Sequence, residues 1–153
     1  MQFATMRLQT STTLAIFAVL ELASHAERQQ SVATIGEKFD VSSHHLAKVM
    51  NELARAGMVQ SVRGAGGGYQ FVANPRRITL YDVIRLFEDV QTDAPEAKSS
   101  AESHALATVL HEIDEIAVAT LGSITIATMC KIVEARRNGK AHLTGLKFDQ
   151  GRG

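Results

Sequence analysis

The sequence predicts a mainly α-helical chain carrying one small two-stranded β element, and three observations carry that prediction. Apolar residues recur at three- and four-residue spacing over most of the chain, which is the helical period. The exception is the run Ser61-Val62-Arg63-Gly64-Ala65-Gly66-Gly67-Gly68-Tyr69, with four glycines in five positions between the short apolar segments 58–62 and 69–72. Such a run cannot pack a core, but it can turn tightly between two strands and bring its backbone very close to another molecule. Immediately upstream, two amphipathic segments are separated by Asp40-Val41. Helix, turn, helix and then a glycine-rich two-stranded loop is the layout of a winged helix-turn-helix DNA-binding domain.

Each element has its own signal. Residues 13–25 are dense in apolar side chains (Leu14, Phe17, Ala18, Leu20, Leu22) and read as a buried first helix. Ser31 is placed to cap a short helix over 32–39. Ser42 or Ser43 caps the next, which runs to about Ala56 with Leu46, Val49, Met50, Leu53 and Ala54 on its apolar face; Gly57 ends it as a glycine just past the helix. That leaves His44, His45, Lys48, Asn51, Glu52 and Arg55 facing outward, a face able to enter a major groove. Two strands bracket the glycine loop, and Asn74-Pro75 closes the second. Thr79 with Asp82 forms a capping box for a helix from Leu80 to about Asp89. The polar stretch 91–103 reads as a loop. A long helix follows, with Leu106, Val109, Leu110, Ile113, Ile116, Ala117 and Leu121 on one stripe and Gly122 at its end. The stripe reads as a dimer seam; the alternative is packing on its own domain. A further helix is expected over 124–137, and a frayed tail over 138–153. The domain layout is thus a DNA-binding domain at 6–90, a loop at 91–103, dimerisation elements at 104–137 and the tail.

At 153 residues, 45% of them hydrophobic, the chain fits one compact domain plus an oligomerisation element, with a largely aliphatic core because it has six Phe, two Tyr and no Trp. A formal net charge of zero hides a segregation. From 44 to 77 the charged residues are Lys48, Arg55, Arg63, Arg76 and Arg77 against the single acid Glu52. From 91 to 130 they are Asp93, Glu96, Glu102, Glu112, Asp114 and Glu115 against Lys98 alone. A basic reader attached to an acidic body suits nucleic acid as the partner. The one cysteine, Cys130, excludes an internal disulfide framework and a four-cysteine zinc site. The apolar stretch 14–23 is too short to span a bilayer and is interrupted by Glu21, so no membrane association is expected and a cytoplasmic location is.

The glycine loop fits neither phosphate-binding alternative. No Lys-Ser/Thr pair follows it, and the next element is a strand rather than the helix that a P-loop or dinucleotide fingerprint requires. As a wing it fits on both flanks, with Arg63 placed to reach phosphate or a narrow minor groove. His44 and His45 can contact bases or phosphates, but adjacent helical residues point about 100° apart, which disfavours one shared metal. His104 and His111 lie two turns apart on the long helix; with Glu96, Glu102 or Cys130 they offer a metal-sensor alternative, and a polar flank is the plainer reading. Cys130 lies in an apolar run and reads as a buried hydrophobe, with redox activity as the alternative. No nucleophile–base pair stands at a recognisable spacing, so catalysis is not expected.

Taken together the residues resemble the IscR/NsrR/CymR family of winged-helix transcription regulators, the Rrf-two family, from Met6 to about Met129. The opening Met6-Arg7-Leu8-Gln9, the wing 62–69, the segment Ile78-Thr79-Leu80-Tyr81-Asp82-Val83 and the segment Ile124-Thr125-Ile126-Ala127-Thr128-Met129 carry the likeness. The resemblance implies a homodimer crossing through the long helix and binding palindromic promoter DNA. It implies that Arg63 works in the wing, and Gly64, Gly66, Gly67, Tyr69, Arg76 and Arg77 are expected to bind DNA with it. It also puts Ser43, His44 and Lys48 where the recognition helix faces DNA. The chain departs from the family in its first helix, with Thr10-Ser11-Thr12-Thr13 where relatives often have basic residues, and in its cluster ligands. Cluster-binding members carry three cysteines in the loop before the dimer helix, and here residues 89–105 have none; Thr13 and Phe17 stand where other members place a ligand on the first helix. No cofactor is therefore expected, an iron–sulfur cluster is disfavoured, and the expected function is a repressor answering a small ligand or a thiol signal at Cys130. A dimeric interaction module that has lost DNA binding is the remaining alternative.

Overall fold

The computed structural model describes residues 8–64, 66–88 and 100–139. In chain order the elements are α1 (Thr10–Ser24), α2 (Val32–Phe39), α3 (Ser43–Arg55), β1 (Val59–Val62), β2 (Gly68–Phe71), α4 (Leu80–Ile84), α5 (Ala101–Ser123) and α6 (Ile126–Arg137). The strands pair antiparallel, with Val59 opposite Phe71 and Val62 opposite Gly68.

Helix α1 is the centre of the body. Ala15, Ala18, Val19 and Leu22 are fully buried, and the helix packs on α2, α3, α4 and α6. Into the same core come Ile35 from α2, Leu46, Val49, Met50 and Leu53 from α3, Val83 and Ile84 from α4, and Ile126 from the first turn of α6. Local chemistry sets the boundaries. Ser31 accepts from the Thr34 amide at 3.0 Å, starting α2. Asp40 ends it in the left-handed region at φ 54°, which a short polar side chain tolerates. Gly57 takes φ 74° after α3; its amide reaches Ala54 O at 3.0 Å and the Met58 amide reaches Leu53 O at 3.1 Å, a Schellman stop with Leu53 and Met58 both buried.

Several boundaries differ from the sequence-based expectation, among them the start of α6, at Ile126 rather than 124. Helix α1 starts three residues early, at Thr10. Helix α4 stops at Ile84, because the chain tightens into successive turns that carry Glu88 inward. Helix α5 starts at Ala101, within the segment read as a loop, since Ser100 caps it by accepting from the Ser103 amide at 3.2 Å. Gly122 does not end α5; the helix runs to Ser123 and stops where Ile124 becomes extended. There the chain pairs across the fold: the Leu80 amide donates to Ile124 O and the Ile126 amide to Ile78 O, each at 2.9 Å. Thr79 and Thr125, the caps of α4 and α6, face each other across this bridge. The expected tail lies outside the described residues beyond Gly139.

One buried charge joins three helices. Glu21 of α1 is 5% exposed, bonds Lys38 of α2, lies 3.4 Å from Arg137 Nη2 of α6 and 4.0 Å from His25 Nε2. Burial pushes its pKa up, but the bond to Lys38 and the charges of Lys38 and His25 outweigh this and hold it below the ordinary 4.5. A depressed folded value stabilises the native state above about pH 4.5 and is lost as pH falls toward that lower value. Glu21→Gln is therefore expected to cost about 2 kcal/mol at pH 7, since its partners are partly solvated. The variant should also show a shallower loss of melting temperature between pH 5 and 3 than the parent; an identical acid slope would remove Glu21 from the account.

Candidate nucleic-acid interface

Helix α3 presents two faces. Leu46, Val49, Met50 and Leu53 are buried, while His44, Lys48, Asn51 and Arg55, spaced four, three and four residues apart, form one exposed line. Ser42 caps the helix by accepting from the His45 amide at 3.2 Å, which leaves Ser43 exposed as its first residue. Gly36 lets the preceding turn close, because a Cβ there would sit 2.8 Å from Val41 O. His45 does not stand in the exposed line: it is half-buried, with Nε2 3.1 Å from Ser11 Oγ of α1. Arg55 pairs with Glu52 at 3.0 Å, an exposed contact of small energetic weight.

The wing stands beside this line. Gly64 and Gly66 adopt φ 123° and 78°, conformations that side chains resist, and the Gly67 amide closes the turn onto Gly64 O at 2.8 Å. The next two glycines answer a different need, close approach. A Cβ on Gly67 would meet Val62 O at 2.6 Å, and one on Gly68 would meet Gln30 O at 2.2 Å. The second contact exists because Gln30 and Tyr69 exchange backbone bonds at 2.9 and 2.8 Å, making the segment before α2 a third partner of the ribbon. Gln29 Nε2 donates to Gly66 O at 2.8 Å and ties down the loop. Arg63 is exposed at the base of the loop and makes no ion pair among the described residues. Tyr69 is half-buried and donates its hydroxyl to Asn51 Oδ1 at 3.3 Å, joining the wing to α3.

Other expected residues lie elsewhere. Arg76 and Arg77 are exposed in a turn held by the Arg76 amide on Asn74 Oδ1 at 3.0 Å. The turn abuts the start of α6, where the Ala127 amide donates to Pro75 O at 2.8 Å, at the opposite end of the ribbon from the glycines. The α5 stripe divides. Leu106, Val109 and Ile116 are more than half exposed, Ile113 is 41% exposed and Leu110 half-buried, whereas Ala117 and Leu121 pack against the chain's own core. Packing on the chain's own domain thus accounts for only part of the stripe, and the rest faces solvent. Cys130 is half-buried, its Sγ 3.9 Å from Leu20 O. His104 is exposed, and His111 faces Glu115 at 3.4 Å. Glu102 is exposed in the first turn, its pKa lowered by backbone and Ser100 hydrogen bonds. Glu96 lies outside the described residues. Among the described residues no three His, Cys, Asp or Glu side chains are grouped to hold a metal ion, and no helix is long and apolar enough to cross a membrane.

Sequence reasoning missed two contributors. Arg28 and Gln29 line a groove of about 320 Å³ between the glycine loop and the start of α2. Glu88, read as helix, is buried and accepts from the Gln9 amide at 2.7 Å and Thr12 Oγ1 at 2.8 Å, closing the start of α1. Both depend on contacts distant in sequence, which no local pattern announces.

Comparison with known proteins adds direct relatives. A family model described as Rrf2, an iron-dependent transcriptional regulator, matches residues 8–132. The HTH-type transcriptional regulator BadM of Rhodopseudomonas palustris is 51% identical over 134 residues, covering 86% of both chains. Among solved structures, CymR, the global cysteine regulator of B. subtilis, superposes with TM-score 0.70 at 27% identity over 82% of this chain and 97% of its own. IscR of T. potens does so with TM-score 0.67 at 32% identity over 86% and 90%.

Since Gly68 has no room for a side chain against Gln30, Gly68→Ala is expected to break the Gln30–Tyr69 pairing and cost about 2 kcal/mol. Hydrogen exchange checks it: the Gln30 and Tyr69 amides should lose protection while those of α1 keep theirs. Retained protection would show that the wing absorbs the methyl.

Proposed function

The chain belongs to the Rrf2 family of transcriptional regulators, and on that footing we propose a homodimeric, sequence-specific DNA-binding repressor of palindromic promoter sites. The observation that carries this reading is the exposed line His44, Lys48, Asn51 and Arg55 running beside a glycine wing with Arg63 at its base. A helix of this diameter fits the major groove, and the wing then falls on the neighbouring backbone or minor groove. Lys48, Arg55 and Arg63 supply phosphate contacts, with Arg76 and Arg77 available to backbone further along. Ser43, His44 and Asn51 face the bases. His45 serves mainly to seat α3 on α1.

The homodimer rests on the apolar row Leu106, Val109, Ile113 and Ile116, which is costly to leave in water and spaced for a second helix of the same kind. Two protomers joined along α5 would place two recognition helices about the symmetry axis, and a bound repressor would occlude the promoter beneath it. An effector acts by changing the separation of those helices; a small ligand, or oxidation of Cys130, is the proposed trigger.

The iron in the family's description does not fit a cysteine-held cluster in this chain. A cluster of that kind draws on several thiolates, and the chain has one, set in α6 against α1 rather than in the loop before α5. The proposed regulator works without it.

Removing Arg63 should delete about one phosphate contact. Arg63→Ala is expected to lower affinity for a retarded promoter fragment and to reduce the slope of log K against log salt by about 0.9, read by fluorescence anisotropy. An unchanged slope would take Arg63 off the backbone. Ile113→Glu, at an exposed position, should leave the fold intact, shift sedimentation to the monomer and weaken DNA binding about 100-fold through loss of bivalency. A variant that stays dimeric would place the interface elsewhere.

A further inference from the structure

The Tyr69 hydroxyl ends on the one carboxamide side chain in the exposed line of α3. Its backbone cannot drift: it is paired to Ser61 in the ribbon and bonded both ways to Gln30. The hydroxyl, held at this point, donates to Asn51 Oδ1 at 3.3 Å. An asparagine amide offers an acceptor and two donors, and free rotation lets it present either. With the oxygen engaged by Tyr69, Asn51 is left with its NH₂ group outward, between Lys48 and Arg55.

We infer that Tyr69 is a positioning residue for base recognition, fixing the Asn51 amide so that α3 presents N–H donors to an acceptor-rich base edge, foremost the N7 and O6 of guanine. The inference rests on the reading of α3 as the helix that enters the major groove. There, guanine shows two neighbouring acceptors, whereas cytosine shows a donor and adenine one of each. Without the hydroxyl the amide is free to turn, and the position accepts donor and acceptor edges alike. Tyr69 thus acts through Asn51, not by touching DNA.

The test is selection from a random duplex library, followed by sequencing, with the full-length parent, Tyr69→Phe, Asn51→Ala and the double variant. The expected result is a motif with a guanine in each half-site whose preference falls about tenfold in both single variants. The double variant should be no worse than Asn51→Ala, and the remaining positions should keep their preferences. Thermal melting of each variant is recorded alongside. A bond that only staples the wing to α3 would lower melting temperature or weaken every position equally, and that result overturns the inference. So does Tyr69→Phe enriching the parental motif undiminished, or Asn51→Ala leaving the motif unchanged; Asn51 is exposed, so its truncation reads the position even if the wing of the tyrosine variant loosens. A parent that enriches no sequence at all overturns the DNA-binding reading itself, a distinct outcome.

Discussion

Helix α1 packs on α2, α3, α4 and α6 together, and on the face that does so Ala15, Ala18, Val19 and Leu22 are fully buried. Small residues at 15 and 18 let neighbouring helices come close, and close-packed interiors transmit any shift of one member to the others. The recognition helix has no independent position: Leu46, Val49, Met50 and Leu53 place it by what α1 allows. The wing inherits its position in turn, from Phe71 and Met58 in the core and from the Gln30–Tyr69 pairing just ahead of α2.

Burial on this scale brings polar groups inside, and several of them tie α1 to its neighbours. At one end Thr12 and the Gln9 amide hold Glu88, the last residue described before 89–99. One residue from Thr12, Ser11 meets His45 at the start of α3. At the other end Glu21 gathers Lys38 and Arg137 from α2 and α6. Glu88 is therefore held close to the seat of the recognition helix.

Much of this was legible from local chemistry. The caps at Ser31, Ser42 and Thr79, the stop at Gly57 and the glycine-rich turn are short-range devices, and each stands where its residues placed it. The errors share one cause. That α5 runs through Gly122 and that α4 gives way before Glu88 are both decided by partners 40 to 80 residues distant, such as Thr125 for Thr79 and Thr12 for Glu88. Periodicity carried the stripe on α5 but could not divide it, because residues that face the chain's own core and residues left exposed have the same spacing. For His45, too, the pattern gave an outward residue, and only the position of Ser11 turned it inward.

The two Ile-Thr segments noted in the sequence, 78–80 and 124–126, turn out to be each other's partners, with two backbone bonds between them. This clip, with Ala117 and Leu121, is where α5 is rooted; beyond it the helix projects from the body. A rigid rod of 23 residues is about 34 Å long, so a tilt of 5° at its root carries the far end through about 3 Å. The helix is a lever with its fulcrum at two threonines.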